Sequence, residues 1–361
     1  MGKVFSRSPV TVSPETHHFQ STIQSGTLVY VALSNQSHKI NPLTDSRKID
    51  NHLFFGFNVR FEDILIEDRV GMGNFGVVYK AYYKGKRIAL KQLLAQQYNR
   101  KTMKDFQNEL NILSILTHPN IVQFLGSVME PPNFCLLTEL CAGSVVDLLQ
   151  LAQTKKINIT WGLTLEIAHG CAKACAYLHG LDPIILHRDI KAENLLITES
   201  FKCKLSDFGL SRSLHRDANA QTMCGTPRWL APEVFRGEDY SEKIDIYSYG
   251  IVLWELFCFK KPYLDQDPIN LAYMVAHEEL RPELPDHIPD TLLRLMKQCW
   301  EDNPTQRPSF ASIIQGIEEA KITVELNLAI DVAKPYEVAL HTYRRQSKSP
   351  LKPYGLTSGR L

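Results

Sequence analysis

His187-Arg188-Asp189-Ile190-Lys191-Ala192-Glu193-Asn194, followed 13 residues after Asn194 by Asp207-Phe208-Gly209, is the stretch on which the fold is decided. It supplies a carboxylate for proton handling, a lysine for phosphate, and an amide and a second carboxylate for magnesium. Phosphoryl transfer to a hydroxyl needs those parts, because its transition state is mostly a problem of positioning and charge neutralisation. A single Asp or Asn taken alone is more often a turn or cap residue. The ordered set is what carries weight.

Around this stretch the chain has 361 residues, 44% of them hydrophobic and 22% charged, the composition of a soluble globular protein. A formal net charge of +1 gives no electrostatic footprint for a nucleic-acid partner and favours small or protein substrates. The eight cysteines lie between Cys135 and Cys299 with no CxxC pair, and no apolar secretory segment opens the chain. A reduced, cytoplasmic setting is expected. Residues 244–259 form the most apolar helical stretch, but they carry Asp245, Ser248 and Glu255 and are too few to span a bilayer. They read as a buried core helix.

Residues 1–57 are rich in Ser, Thr, Asn and His, with a strand-like patch at 27–33, and read as a small module or an extension of unknown function. From Phe61 short alternating runs (64–66, 77–83, 87–90) separated by glycines predict an antiparallel sheet, and 104–116 predicts one helix packed on it. Helical periodicity then dominates, over 145–153, 164–179, 241–259, 268–276, 290–300 and 308–320. Residues 321–361 form a basic C-terminal tail.

Gly71, Gly73 and Gly76 with Val78 make a GxGxxGxV run between two predicted strands. Alone it reads equally as a tight turn, and dinucleotide-binding folds use a similar run to open a helix. The next strand carries Ile88-Ala89-Leu90-Lys91, and Glu109 stands 18 residues beyond Lys91 in the predicted helix. With the HRDxxxxN and DFG sets, this order resembles a eukaryotic-type protein kinase over about residues 61–320. The resemblance implies an α+β, bilobal kinase domain over 58–320: a small β-rich N-lobe with one helix (about 58–138) and a larger α-helical C-lobe (about 144–320).

It also implies ATP and Mg2+, with Mn2+ as an alternative ion, and protein substrates. ATP would lie against Val70, Gly71, Met72, Gly73, Asn74, Phe75, Gly76, Val77, Val78, Ala89, Lys91, Thr138, Glu139, Cys141 and Leu196. Thr138 would be the gatekeeper of a connector, Cys141 to Ser144, one residue shorter than the family pattern. Lys91, paired with Glu109, would hold phosphates; Asp189 would orient the acceptor hydroxyl or take its proton, Lys191 would sit near the transferred group, and Asn194 and Asp207 would hold the metal. Arg188 implies control by phosphorylation of Thr222, by an upstream kinase or a second copy acting in trans, while Thr226 is read as contacting Asp189 and Lys191.

Lys191 and Gly225-Thr226-Pro227 follow the Ser/Thr pattern. Trp229 to Glu233, Asp245 to Gly250, Cys299-Trp300 and Asn303 to Pro308 resemble the tyrosine-kinase-like group of Raf-type and mixed-lineage kinases, so tyrosine stays open as a second acceptor. There Glu233 pairs with Arg307, and Asp245 holds the catalytic-loop backbone. A scaffold without catalysis is the rival reading, opposed by the intact Lys91, Glu109, Asp189, Asn194 and Asp207; a small-molecule kinase is opposed by the platform residues Thr226 to Glu233. Finally, Met1-Gly2-Lys3-Val4-Phe5-Ser6 matches the pattern for myristoylation of Gly2, which would give weak membrane association, and Cys224 stands where oxidation would interfere with transfer, although an unreactive thiol is the plainer reading.

Overall fold

A computed structural model describes residues 21–24, 27–30, 58–73, 76–94, 99–154, 159–214, 224–286 and 288–327. Gly2, Asn74, Phe75 and Thr222 lie outside the described residues. Internal contacts divide the chain into Met1–Ile49 and Asp50–Leu361. In the first unit, β1 (Ser21–Gln24) and β2 (Thr27–Tyr30) form an antiparallel pair with Gln24 opposite Thr27.

The second unit begins with five antiparallel strands: β3 (Ile64–Gly73), β4 (Gly76–Tyr83), β5 (Lys86–Gln92), β6 (Phe124–Glu130) and β7 (Asn133–Glu139), in the order β3-β4-β5-β7-β6. Strand β3 runs well past the predicted 64–66, because two register shifts between Ile66 and Gly71 let a run of polar residues keep pairing with β4 as far as Gly73 opposite Gly76. On β5 the alternation is clean: Ile88 and Leu90 are buried in the sheet's own core, while Ala89 and Lys91 take the opposite, half-buried face. Helix α1 (Arg100–Ile115) starts four residues before the predicted boundary. Asn99 caps it by accepting from Thr102 N–H, and the helix buries Phe106, Glu109, Leu110, Ile112 and Leu113.

After β8 (Gly143–Ser144) the chain is mainly helical. Ser144 and Asp147 make a reciprocal capping box at the start of α2 (Val145–Gln153), and Thr160 caps α3 (Trp161–His179), which therefore begins before the predicted 164. Helix α5 (Lys243–Cys258) is buried from Ile244 to Phe257, as its near-continuous apolar sequence requires, and follows the short α4 (Pro232–Phe235). Gly250 lets α5 approach α7 (Asp290–Cys299) closely, since a Cβ there would lie 2.7 Å from that of Cys299. Helix α6 (Pro268–His277) precedes α7, and α8 (Phe310–Asn327) packs on α3 and continues beyond the predicted end at 320. Nothing in 321–327 breaks a helix, and Lys321 anchors the added turn on Glu166 and His169 of α3. Among the described residues no helix is long and apolar enough to cross a membrane.

The small β-rich lobe with one helix and the larger helical lobe are the α+β bilobal kinase architecture. Two short sheets position the site. In one, β10 (Leu195–Ile197) lies between β8 and β11 (Cys203–Leu205); in the other, β9 (Ile184–Leu186) pairs with β12 (Arg212–Leu214). His187 to Asn194 therefore link β9 to β10, and Asp207 to Gly209 link β11 to β12, so the two polar segments are held side by side.

Candidate active site

The linker between β9 and β10 is fixed by one carboxylate. Asp245, fully buried at the start of α5, accepts from His187 N–H at 2.8 Å and Arg188 N–H at 2.9 Å, and contacts His179 Nε2 at 3.0 Å. Burial alone would raise its pKa, but His179, His187 and the backbone donor outweigh that and hold it below the ordinary carboxylate value. The two amide bonds hold Arg188 at a φ of 66°, a left-handed conformation that turns the chain sharply before Asp189. Burial lowers the pKa of His187, and the neutral ring has a clear tautomer: Nδ1 accepts from Asp189 N–H, leaving Nε2 to donate to Ser206 O at 3.0 Å. Its edge packs on Phe208, 4.9 Å between centroids.

Asp189 lies at the centre of a tight polar group. Its Oδ1 accepts from Thr226 Oγ1 at 2.6 Å, and its Oδ2 accepts from Lys191 Nζ at 2.7 Å and Asn194 Nδ2 at 2.9 Å. Lys191 also donates to Thr226 Oγ1 at 2.6 Å, and Asn194 Nδ2 to Asp189 O at 2.8 Å. Gly225 makes this approach feasible: its φ is +117°, and a Cβ would lie 2.7 Å from Arg188 O and 2.6 Å from Leu230 Cδ2. A hydroxyl arriving here meets a carboxylate that can take its proton and an ammonium that can steady developing negative charge.

Across the cleft, Lys91 Nζ lies 2.9 and 3.0 Å from the two Glu109 oxygens and 3.0 Å from Asp207 Oδ1. Burial would lower the pKa of this ammonium, yet the Asp207 and Glu109 carboxylates outweigh burial and hold it well above the ordinary lysine value. The carboxylates diverge. Burial raises Glu109, whereas Lys91 keeps Asp207 below the usual range despite its own burial. Asp207, at a φ of 62°, is therefore an anion at neutral pH.

The remaining residues read as nucleotide ligands differ in exposure. Val78, Ala89, Thr138, Cys141 and Leu196 are half-buried, Gly71 is half-buried with open space where a Cβ would be, and Val70 and Met72 are exposed. Val77, by contrast, is buried in the sheet. Gly76 has no alternative, since a Cβ at its φ of +153° would run into the Gln92 carbonyl. Glu139 uses its N–H on Gln123 O and its side chain on Gln123 N and Lys204 Nζ, which ties the connector between lobes to β11. The connector then passes directly to β8, and Ala142 N–H donates to Ile197 O at 2.8 Å.

The donor set fits a divalent ion. Asp207 offers an ionised carboxylate, and with the Asn194 amide nitrogen committed to Asp189 the oxygen is the atom left, so both are hard oxygen ligands of the kind magnesium takes. Lys91, between two carboxylates, is a point charge of the kind that binds phosphate.

Sequence reasoning missed three contributors. Arg212 stands with Arg188 close enough to Cys224 for both cations to act on its thiol, although burial outweighs them and raises the thiol pKa, which disfavours the thiolate. Arg188 donates to Leu210 O at 2.7 Å and to Tyr240 at 3.1 Å. Glu255 accepts from Trp229 Nε1 at 3.1 Å and Ala192 N at 3.4 Å, joining α5 to both the loop after Thr226 and the catalytic loop; burial and the neighbouring Glu193 push it up to about 8. A carboxylate in so apolar a helix was the signal. Lys204 left none.

Residues 64–317 match the family model described as protein tyrosine and serine/threonine kinase. Among similar proteins are two from Dictyostelium discoideum, the probable serine/threonine-protein kinases drkB, 40% identical over 73% of this chain and 38% of its own, and drkA, 38% identical over 73% of this chain and 40% of its own. The probable serine/threonine-protein kinase SIS8 of Arabidopsis thaliana is 36% identical over 72% of this chain and 25% of its own. The chain thus spans less than half the length of these relatives. With the match covering most of its own length, the chain belongs to the family of protein tyrosine and serine/threonine kinases.

Proposed function

We propose that the protein is a serine/threonine protein kinase of the tyrosine-kinase-like group, transferring the γ-phosphoryl of ATP to hydroxyls of protein substrates. The observation that carries this reading is the closed Asp189–Lys191–Thr226 triangle facing an intact Lys91–Glu109–Asp207 triad. Asp189 orients the acceptor hydroxyl and takes its proton, a contribution of about 10²- to 10⁴-fold. Lys91, steadied by Glu109, holds the nucleotide phosphates, and Lys191 steadies the transferring group. Asn194 and Asp207 would hold magnesium, which supplies charge neutralisation at the phosphates when bound. Serine or threonine is favoured by Lys191 and Thr226. The Trp229 to Glu233 segment and the Glu233–Arg307 pair support the group assignment.

Arg188 and Arg212 both act on Cys224, which stands two positions along the chain from Thr222, and this supports activation by phosphorylation of Thr222, by another kinase or by a second copy. A cytoplasmic setting, with weak membrane association if Gly2 is acylated, completes the reading. The test is incorporation of γ-phosphate from Mg·ATP into the protein and a generic basic protein. Wild type should label serine and threonine, and Asp189→Asn should lose about 10²-fold or more. Mainly phosphotyrosine would overturn the acceptor assignment. Nucleotide binding without incorporation by wild type, even after treatment with an activating kinase, would favour the scaffold.

A further inference from the structure

Asn108 precedes Glu109 on α1, and its side chain reaches across to the other lobe: Nδ2 donates to Ser211 O at 2.9 Å. Ser211 is 1% exposed, and its Oγ donates to His187 O at 3.2 Å while its N–H donates to Phe208 O at 3.0 Å. One residue earlier, Leu210 O accepts from Arg188. Phe208 to Ser211 is therefore a short turn tied on one side to the catalytic loop and on the other to α1 through a neutral amide. We propose that Asn108 is a positioning residue that holds α1 in the orientation in which Glu109 reaches Lys91. The proposal rests on the kinase reading and goes beyond it by assigning a group that touches neither nucleotide nor acceptor.

Helical geometry carries the argument. Neighbouring residues on a helix point about 100° apart, so a rotation or outward swing of α1 that breaks Glu109–Lys91 also withdraws Asn108 from Ser211. The ion contacts cannot fix α1 alone, because Lys91 is shared between Glu109 and Asp207, and charge attraction tolerates small rotations. A hydrogen bond to a buried carbonyl is directional and does not. The acceptor is a backbone oxygen, so the position requires a donor. Aspartate has nearly the same shape and presents only lone pairs to that oxygen.

Wild type, Asn108→Ala and Asn108→Asp would be compared by turnover and by amide hydrogen exchange without nucleotide. One neutral hydrogen bond predicts a fall in kcat/KM of about 2- to 10-fold for Asn108→Ala, more for Asn108→Asp, with faster exchange confined to α1 and residues 210–214 and none gained in α7 or α8. In a Glu109→Gln background Asn108→Ala should cost less than about 2-fold more, since both act through one orientation. Wild-type exchange in α1 and 210–214 for both variants, or losses that multiply with Glu109→Gln, would overturn the proposal. A wild type that binds nucleotide and never transfers phosphate would sink the kinase reading instead, and the exchange comparison would still decide the role of Asn108.

Discussion

Replacing Glu233 with glutamine should cost this fold more than any surface change, and the size of the loss can be worked from the partners. Arg307 uses all five of its N–H groups: Nε on Glu301 O at 2.8 Å, Nη1 on Glu233 Oε1 at 2.6 Å and Lys243 O at 3.0 Å, Nη2 on Glu233 Oε2 at 2.8 Å and Asp302 O at 3.2 Å. The Arg307 and Glu233 side chains are 0% and 2% exposed, and the guanidinium lies 5.2 Å from the Tyr247 ring centroid. Glutamine would turn an N–H2 toward one guanidinium N–H and leave the cation with no countercharge, a loss of about 3–5 kcal/mol. For a domain of this size, at about 2–4 °C per kcal/mol, the melting midpoint should fall by roughly 6–20 °C. Calorimetry would measure it, with Arg60→Ala as the control: the Arg60–Asp63 pair is 68% and 42% exposed, and its loss should stay within about 0.5 kcal/mol. A Glu233→Gln melt no lower than that of Arg60→Ala would refute the reasoning. Replacing both partners with methionine should recover only part of the loss, because the carbonyls of Glu301, Lys243 and Asp302 would still lack donors.

Gly225→Ala should lower the melt, because alanine is strained at a φ of +117°, and should lower turnover by about 10²-fold, because a Cβ pressed against Arg188 O and Leu230 displaces Thr226 from Asp189; calorimetry and steady-state kinetics on a serine peptide, normalised to folded enzyme, would check both. Glu255 gives a pH signature. Its folded pKa of about 8 stands above the ordinary 4.5, so the folded state binds the extra proton between those values, and the stability it contributes is full below about pH 4.5 and lost as pH rises through about 8. Glu255→Gln should therefore gain on wild type by up to about 1.4 kcal/mol per pH unit across that window, with no further gain above it; parallel melts at pH 5.5, 6.5, 7.5 and 8.5 that keep a constant difference would contradict the assignment.

What the sequence made legible was chemistry confined to short segments. Asp189, Lys191 and Asn194 sit within six residues, and the reaction that needs them constrains each residue type, so their joint role could be read before their geometry. Burial of α5 was legible for a similar reason, since a helix apolar on every face has only the core in which to lie. Boundaries were less so, because a cap residue such as Asn99 or Thr160 announces itself only by which N–H it accepts from.

The illegible residues share a physical cause. Asn108, Lys204 and Glu255 act on partners far along the chain, and they meet a backbone carbonyl, a carboxylate and a backbone N–H that any sequence could offer. A side chain whose partner is a backbone group leaves no complementary residue to pair with it in the sequence, so only the folded chain reveals the contact. Glu255 illustrates the asymmetry: its charge was visible as an argument against a membrane span, yet its bonds to Ala192 and Trp229 depend on α5 being brought beneath the catalytic loop. The residues that perform the chemistry are thus readable by type, whereas those that hold them in place are readable only by contact. That is why the lobe-bridging amide of Asn108 emerges from distances and not from motif.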